Sequence, residues 1–214
     1  MSDAAPRLYL ITPLLDEAEA FAPRLKAALD AGDVACLLLR IADQARGDAK
    51  TIIRALTPLA QQRGVACLIE DDTQLAARAD TDGVHIEADP ETHKDVLDAA
   101  IAAMQPRRIV GVGGLMNRDA AMIAGESGAD YLMFGLPDVE EKQEDLLERI
   151  AWWAEIFQVP CVGQAHRLED VPALVQAGAD FIALGRIVWE DPRGPAAVIA
   201  EAMEKCTSSP MPAR

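Results

Sequence analysis

Short apolar runs of four to seven residues recur along the whole chain. They read LYLIT from Leu8, VACLLLR from Val34, VACLIE from Val65, DGVHI from Asp82, RIVGV from Arg108, DYLMFG from Asp130, PCVGQ from Pro160 and DFIALG from Asp180. None alternates apolar with polar positions, so each is expected to be a strand buried on both faces of a parallel sheet. The gaps carry helical patterns at Asp16 to Ala31, Asp48 to Arg63, Asp89 to Met104, Asn117 to Ser127, Glu141 to Phe157, Leu168 to Ala177 and Pro195 to Lys205. Several have Asp, Asn or Pro near their starts and Gly just beyond their ends, the asymmetry of capped helices.

Eight strand-plus-helix units share the chain at about 27 residues each, close to the minimum for such a unit. No length remains for a second domain. Gly128-Ala129-Asp130 and Gly178-Ala179-Asp180, with a looser Ala79-to-Gly83 version, stand just before strands. Glycine there ends a helix in a left-handed conformation, and the acidic residue opens the next strand. These features predict an α/β fold, a (β/α)8 TIM barrel in a single compact domain over residues 7–206, with flexible termini at residues 1–6 and 207–214. A doubly wound open sheet is the alternative, because strand order is not written in the pattern.

Composition narrows the function classes. Thirty-five acidic residues against 20 basic ones give a formal charge of -15, with no Lys/Arg cluster. Nucleic acid and anionic membrane surfaces are therefore not expected as partners. No run approaches the roughly 18 to 20 apolar residues of a membrane span, and the start has no leader pattern, so a cytoplasmic location is expected. Cys36, Cys67, Cys161 and Cys206 form no CxxC pair, and their predicted role is that of reduced, buried thiols. Trp152 and Trp153 are adjacent on a helix and cannot both face inward. One of them marks either a homodimer interface or a half-covered surface aromatic.

A TIM barrel binds its ligands at the C-terminal ends of its strands. Those ends carry Thr12, Arg40, Glu70 with Asp71 and Asp72, His85 with Glu87 and Asp89, Gly113 with Gly114, Gly135 with Asp138 and Lys142, Gly163 with Gln164, and Gly185 with Arg186. Arg40, Lys142 and Arg186 are the cations of an otherwise acidic rim. A guanidinium leaving a barrel interior must meet a carboxylate or an anionic ligand. For Arg40 the choices are an ion pair with Glu70 or Asp71, or an anion site.

From Leu8-Tyr9-Leu10-Ile11-Thr12 through Arg40, Glu70-Asp71-Asp72, Asp82-Gly83-Val84-His85 and Ile109-Val110-Gly111-Val112 to Gly128-Ala129-Asp130-Tyr131 and Gln176-Ala177-Gly178-Ala179-Asp180, the chain resembles the thiamine phosphate synthases and the related thiazole tautomerases. The resemblance implies a transferase of thiamine biosynthesis. Such an enzyme joins a hydroxymethylpyrimidine diphosphate to a thiazole phosphate, with Mg²⁺-assisted loss of pyrophosphate. It also implies Asp71 and Asp89 as metal ligands, with a small phosphorylated molecule held by Arg40, Gly113, Lys142, Gly163, Gly185 and Arg186. His85 and Glu70 would belong to the pocket.

The chain departs from the family pattern at most of these places. The Q-x-R-x-K strand end reads Leu38, Arg40 and Ala42. The G-Q-x-D segment reads Glu87-Ala88-Asp89-Pro90, with Pro90 where the metal aspartate belongs, so that Asp89 serves only after a one-residue shift. The diphosphate serine after the fifth strand is replaced by Gly113-Gly114, and the threonine-rich phosphate segment by Gly135-Leu136-Pro137-Asp138-Val139-Glu140-Glu141-Lys142. The G-I-G-G nest reads Gly163-Gln164-Ala165-His166, and Gly185-Arg186 replaces the serine region of the eighth strand. Leu136 takes the place of the tautomerase histidine.

Two functional classes therefore stand: a synthase-like transferase, and a catalytically silent barrel that binds a ligand or partner. His85 is either a structural residue or a base. The carboxylates are either solvated or magnesium ligands. Glu70, Asp71, Asp72, Glu87, Asp89, Asp138, Glu140 and Glu141 together are expected to repel free pyrophosphate unless metal is present.

Overall fold

The computed structural model describes residues 5–87 and 90–210. Eight parallel strands close into one barrel in chain order: β1 Arg7–Leu15, β2 Val34–Ile41, β3 Ala66–Glu70, β4 Gly83–Ile86, β5 Ile109–Val112, β6 Tyr131–Phe134, β7 Cys161–Ala165 and β8 Phe181–Leu184. Pairing of Leu8 with Ile182 seals the ring, which removes the open-sheet alternative.

Because side chains alternate along a strand, each strand splits into two sets. Tyr9, Ile11, Cys36, Leu38, Leu68, Tyr131, Met133, Val162 and Ala183 fill the barrel. Leu8, Leu10, Leu37, Leu39, Ile69, Val84, Val112 and Phe134 point outward into the helical layer. Both sets are apolar, and that is why no strand showed polar alternation.

The surrounding helices are α1 Ala22–Leu29, α2 Ala49–Gln61, α3 Thr73–Ala79, α4 Pro90–Met104, α5 Arg118–Glu126, α6 Gln143–Ile156, α7 Val171–Ala177, α8 Arg186–Glu190 and α9 Pro195–Ser208. The first begins later than Asp16, since Pro23 favours the first turn of a helix and Asp16–Phe21 forms turns instead. Two short helices, α3 and α8, have too few turns to leave a periodic signature. At the C-terminal end α9 continues through Thr207 and Ser208.

The Gly-Ala-Asp punctuation has a structural reason beyond capping. Gly128 and Gly178 take φ of 91° and 94°, a left-handed conformation that glycine adopts without strain. The aspartates then tie neighbouring strands together. Asp130 accepts from the Val110 amide at 2.8 Å, Asp180 from the Cys161 amide at 2.9 Å, and Asp82 from the Cys67 amide at 2.7 Å. Each carboxylate thus satisfies a strand-start N–H at the face opposite the mouth. The barrel floor is stitched, and the site end is left to other residues.

All four cysteines are buried and none forms a disulfide. Burial pushes the Cys67 thiol up to about 12 and the Cys206 thiol up to about 11. Trp153 is fully buried, with its indole N–H on the Val159 carbonyl at 2.8 Å. Trp152 is half-covered by its own chain, with the Arg118 guanidinium 4.9 Å from its ring centre and Phe157 at 5.4 Å. Among the described residues no helix is long and apolar enough to cross a membrane.

Candidate active site

Closure of the barrel gathers the strand ends into one mouth. Arg40 ends the inward row of β2 after Cys36 and Leu38. Its Nε donates to Glu70 Oε1 at 2.9 Å, and its second guanidinium arm reaches Asp138 Oδ2 at 2.7 Å. Glu70 is the inward end of β3, whereas Asp138 lies in the loop after β6. Thr12 Oγ1 accepts from the Arg40 amide at 3.0 Å, which fixes the backbone from which the side chain leaves.

The Arg40 side chain is 12% exposed and that of Glu70 is 20% exposed, while Asp138 is 58% exposed. Burial pushes the Glu70 carboxyl up from its ordinary value, and the Arg40 charge opposes this only in part. Burial works against the Arg40 charge, but Asp138 and Glu70 together hold it above the usual arginine range. The sequence reading named Glu70 or Asp71 as the ion-pair partner. The structure gives Glu70 and adds Asp138.

On the far wall a hydrogen-bonded ladder runs from the mouth to the barrel centre. Glu87 Oε2 lies 3.1 Å from His85 Nε2, His85 Nδ1 lies 2.9 Å from the Tyr131 hydroxyl, and that hydroxyl lies 2.7 Å from the Tyr9 hydroxyl. His85 is fully buried. Burial raises both tyrosines well above their ordinary range, so their hydroxyls stay neutral.

Two glycines make room for this ladder. A Cβ on Gly111 would fall 1.9 Å from the Tyr131 ring, and one on Gly113 would fall 2.4 Å from Glu87 Oε2 and 2.8 Å from His85 Nε2. Gly113 is therefore occupied by its own protein's carboxylate–histidine pair.

The other candidates are scattered around the rim. Lys142 is exposed at the start of α6. Arg186 opens α8 with its side chain 71% exposed and 3.4 Å from Glu190. Gly185 precedes it and is buried, and an added Cβ there would make ordinary van der Waals contact at 3.9 Å with Gln164 and Ile11. Gly163 turns its Cβ position outward against Ile150 and Leu174, so it serves helix packing, and Gln164 is the β7 residue that faces the barrel. A cavity of about 280 Å³ lies at this side of the mouth, lined by Pro137, Asp138, Gln164, His166, Arg186 and Ile187 among others. A larger groove, about 600 Å³, runs along the outer face of α9 away from the strand ends.

Most rim carboxylates are already engaged. Asp72 caps α3 by accepting from the Leu75 amide at 2.8 Å. Asp71, held at a φ of 57°, accepts from the Glu87 amide at 2.8 Å. Glu141 pairs with the buried Arg149, and Glu140 lies 3.9 Å from Arg167. Arg149 and the tyrosine ladder are the site-end features that sequence reasoning missed. The rim as read from sequence is thus more acidic than the rim as folded.

Mg²⁺ takes oxygen from one or two carboxylates and completes its shell with water and substrate phosphates. Asp71 offers one such oxygen, since its other one is taken by the Glu87 amide. Asp89, its expected partner, lies outside the described residues. Among the described residues no three His, Cys, Asp or Glu side chains converge on a metal position. The donor set therefore fits a magnesium ion only where substrate oxygens share in holding it.

The family model for thiamine monophosphate synthase matches residues 8–188. A thiamine-phosphate synthase of Rhodospirillum centenum is 42% identical over 206 residues, covering 91% of this chain and 95% of the relative. One from Hyphomonas neptunium is 36% identical over 203 residues, covering 90% of each. Among solved structures, a thiamine phosphate pyrophosphorylase of Pyrococcus furiosus superposes with a TM-score of 0.78 at 20% identity, covering 94% of this chain and 95% of that one. A 3-hexulose-6-phosphate synthase does so with a TM-score of 0.72 at 16% identity, covering 92% and 99%. Those two likenesses speak to the fold, and the family match over residues 8–188 together with the curated relatives speaks to kinship: the chain belongs to the thiamine monophosphate synthase family.

Proposed function

We propose that this protein is a thiamine-phosphate-synthase-type transferase, joining a hydroxymethylpyrimidine diphosphate to a thiazole phosphate with departure of pyrophosphate. The observation that carries the reading is Arg40. It is a nearly buried guanidinium at the inward end of β2, braced by Thr12 and poised between two carboxylates. An incoming diphosphate displaces Asp138, the exposed partner, and keeps the guanidinium fork in place.

Arg186 and Lys142 sit on the rim, long enough and exposed enough to swing onto phosphate. Mg²⁺, held by Asp71 and Asp89 with substrate oxygens, would neutralise charge on the departing pyrophosphate. The test is turnover of the two substrates by the full chain. Product formation that is lost in Arg40→Ala supports the transferase. Absence of turnover, with both substrates and magnesium supplied to folded protein, overturns it.

One observation favours a second reading, a barrel that binds ligand without turnover. Where the family places a diphosphate-binding serine, Gly113 leaves space that Glu87 fills with a carboxylate. Binding of either substrate at ordinary affinity, without product, supports this reading.

A further inference from the structure

In a ring of eight strands closed in chain order, β2 and β6 stand four places apart in both directions, so they face each other across the barrel. Arg40 leaves the inward end of β2 and Asp138 belongs to the segment after β6, yet their side chains meet at 2.7 Å. Among the described residues no ladder joins these two strands. The ion pair is therefore a tie across the mouth.

The segment that carries Asp138 is held unevenly. At its root Glu141 pairs with Arg149, and both side chains are mostly buried, at 14% and 10% exposure. Breaking such a pair strands a charge in the interior and is costly. At its tip Asp138 is 58% exposed, and an exposed partner of this kind contributes little and is weakened by salt. Leu136 and Val139 bridge to one another, which sets Pro137 and Asp138 on a tight turn. The segment starts at Gly135, whose φ of 88° suits glycine and marks a pivot. Asp138 also lines the cavity of about 280 Å³ together with His166 and Arg186, whereas Arg40 is not part of that lining. One carboxylate thus borders two cationic regions.

We propose that the segment from Leu136 to Glu140 is a strap latched across the mouth by Asp138, and that a diphosphate group opens it by taking Arg40 from that carboxylate. A diphosphate offers more charge and more acceptors than one carboxylate and matches the guanidinium fork. Opening joins the cavity to Arg40, so that Arg40 and Arg186 line one anion-binding space. The root stays fastened by Arg149, and the strap swings without unfolding α6. The proposal takes from the transferase reading only the anion at Arg40. It adds a device that keeps the mouth shut while no anion is bound.

The experiment follows the strap directly. All four native cysteines are buried, so an introduced cysteine is the one open to a thiol-reactive dye. Val139, 56% exposed and next to Asp138, is the labelling position, as Val139→Cys. Dye anisotropy is read on the full chain in chelator at constant ionic strength, with inorganic pyrophosphate as the probe. Adding Asp138→Asn should lower the ratio of closed to open strap about two- to five-fold, and so lower the anisotropy before any anion is present. Pyrophosphate should bring the parent labelled chain to that level or below, and should leave a labelled Arg40→Ala chain, already low, unchanged. A dye at Asp145→Cys, in the first turn of α6 beyond the root, should not respond to either change. Equal anisotropy with and without Asp138→Asn, no response of the parent chain to millimolar pyrophosphate, or an equal response at position 145 overturns the proposal. Its failure is distinguishable from that of the transferase reading. A strap that opens in a chain without turnover leaves the latch standing and removes the transferase, and turnover with an unresponsive strap does the reverse.

Discussion

Replacing Glu70 by Gln should release Arg40 for anions and so strengthen pyrophosphate binding. The pair is close, Nε to Oε1 at 2.9 Å, and both side chains are mostly buried, at 12% and 20% exposure. Charge centres about 4 Å apart attract by about 4 kcal/mol at an effective dielectric of about 20. An arriving diphosphate brings its own charge and recovers most of that, so the net competition from Glu70 is about 1–2 kcal/mol. The substitution should then tighten metal-free pyrophosphate binding about five- to thirty-fold. Asp138→Asn removes a partner that is 58% exposed and should give less than about five-fold. The assay is calorimetry with pyrophosphate in chelator at constant ionic strength, with Arg40→Ala as the variant expected to abolish the gain. Unchanged or weaker binding in a folded Glu70→Gln protein would refute the reasoning, for then Arg40 is not the anion's contact or Glu70 is not its competitor.

Gly113→Ser should destabilise by about 1–3 kcal/mol through overpacking against Glu87 and His85, and Glu87→Gly in the same chain should restore most of that loss; thermal melts with no difference between single and double variants would contradict it. Tyr131→Phe removes the hydroxyl shared by His85 and Tyr9 and should cost about 1–3 kcal/mol in urea titration, more than Tyr9→Phe, whose loss leaves the His85 bond intact; equal costs would break the ladder argument. The folded chain raises the Glu70 carboxyl, so the native state binds that proton more readily than the unfolded state does. Its favourable contribution is present below the ordinary value of 4.5 and is lost as pH rises through the raised value. Wild-type urea midpoints should fall across that window relative to Glu70→Gln, and parallel pH profiles would count against the assignment.

The fold was legible because an eight-fold repeat of doubly apolar strands and capped helices has few solutions at this length. Even so, the pattern of Asp82, Asp130 and Asp180 showed only where strands begin. It did not show that each carboxylate reaches across to the amide of a neighbouring strand, because that contact depends on register. The helices α3 and α8, each seven residues or fewer, were silent for want of turns. At the mouth, the strand-end rule pointed to Arg40, Glu70, His85 and Gly113 and offered Glu70 among the partners of Arg40, but it left the other contacts unnamed. Arg40 meets Asp138 across 98 residues of chain, and Tyr9 meets Tyr131 across 122. Barrel stagger sets those meetings, and no local spacing encodes it.

Glu87 and Gly113 illustrate how two departures from a family pattern can be one structural event. Read singly, Gly113 is a missing serine and Glu87 an extra charge. In the barrel a Cβ at position 113 would lie 2.4 Å from Glu87 Oε2, so the carboxylate is sited where only glycine leaves room. The same geometry revises the electrostatics of the mouth. Arg40 answers Glu70 and Asp138, Arg149 answers Glu141, Arg167 lies near Glu140, and Asp71 and Asp72 accept backbone amides. Summing formal charges over the rim therefore overstates the field that a diphosphate meets. Glu87 is one of the carboxylates left without an arginine or lysine, its Oε1 buried without a partner among the described residues while its Oε2 rests on His85. Among the described residues, repulsion of an anion at this mouth falls to the carboxylates without an arginine or lysine partner, Asp71 and Asp72 after β3 and Glu87 after β4. The opposite wall, with Arg40 at the end of β2, keeps a cation braced for an anion that can displace Asp138.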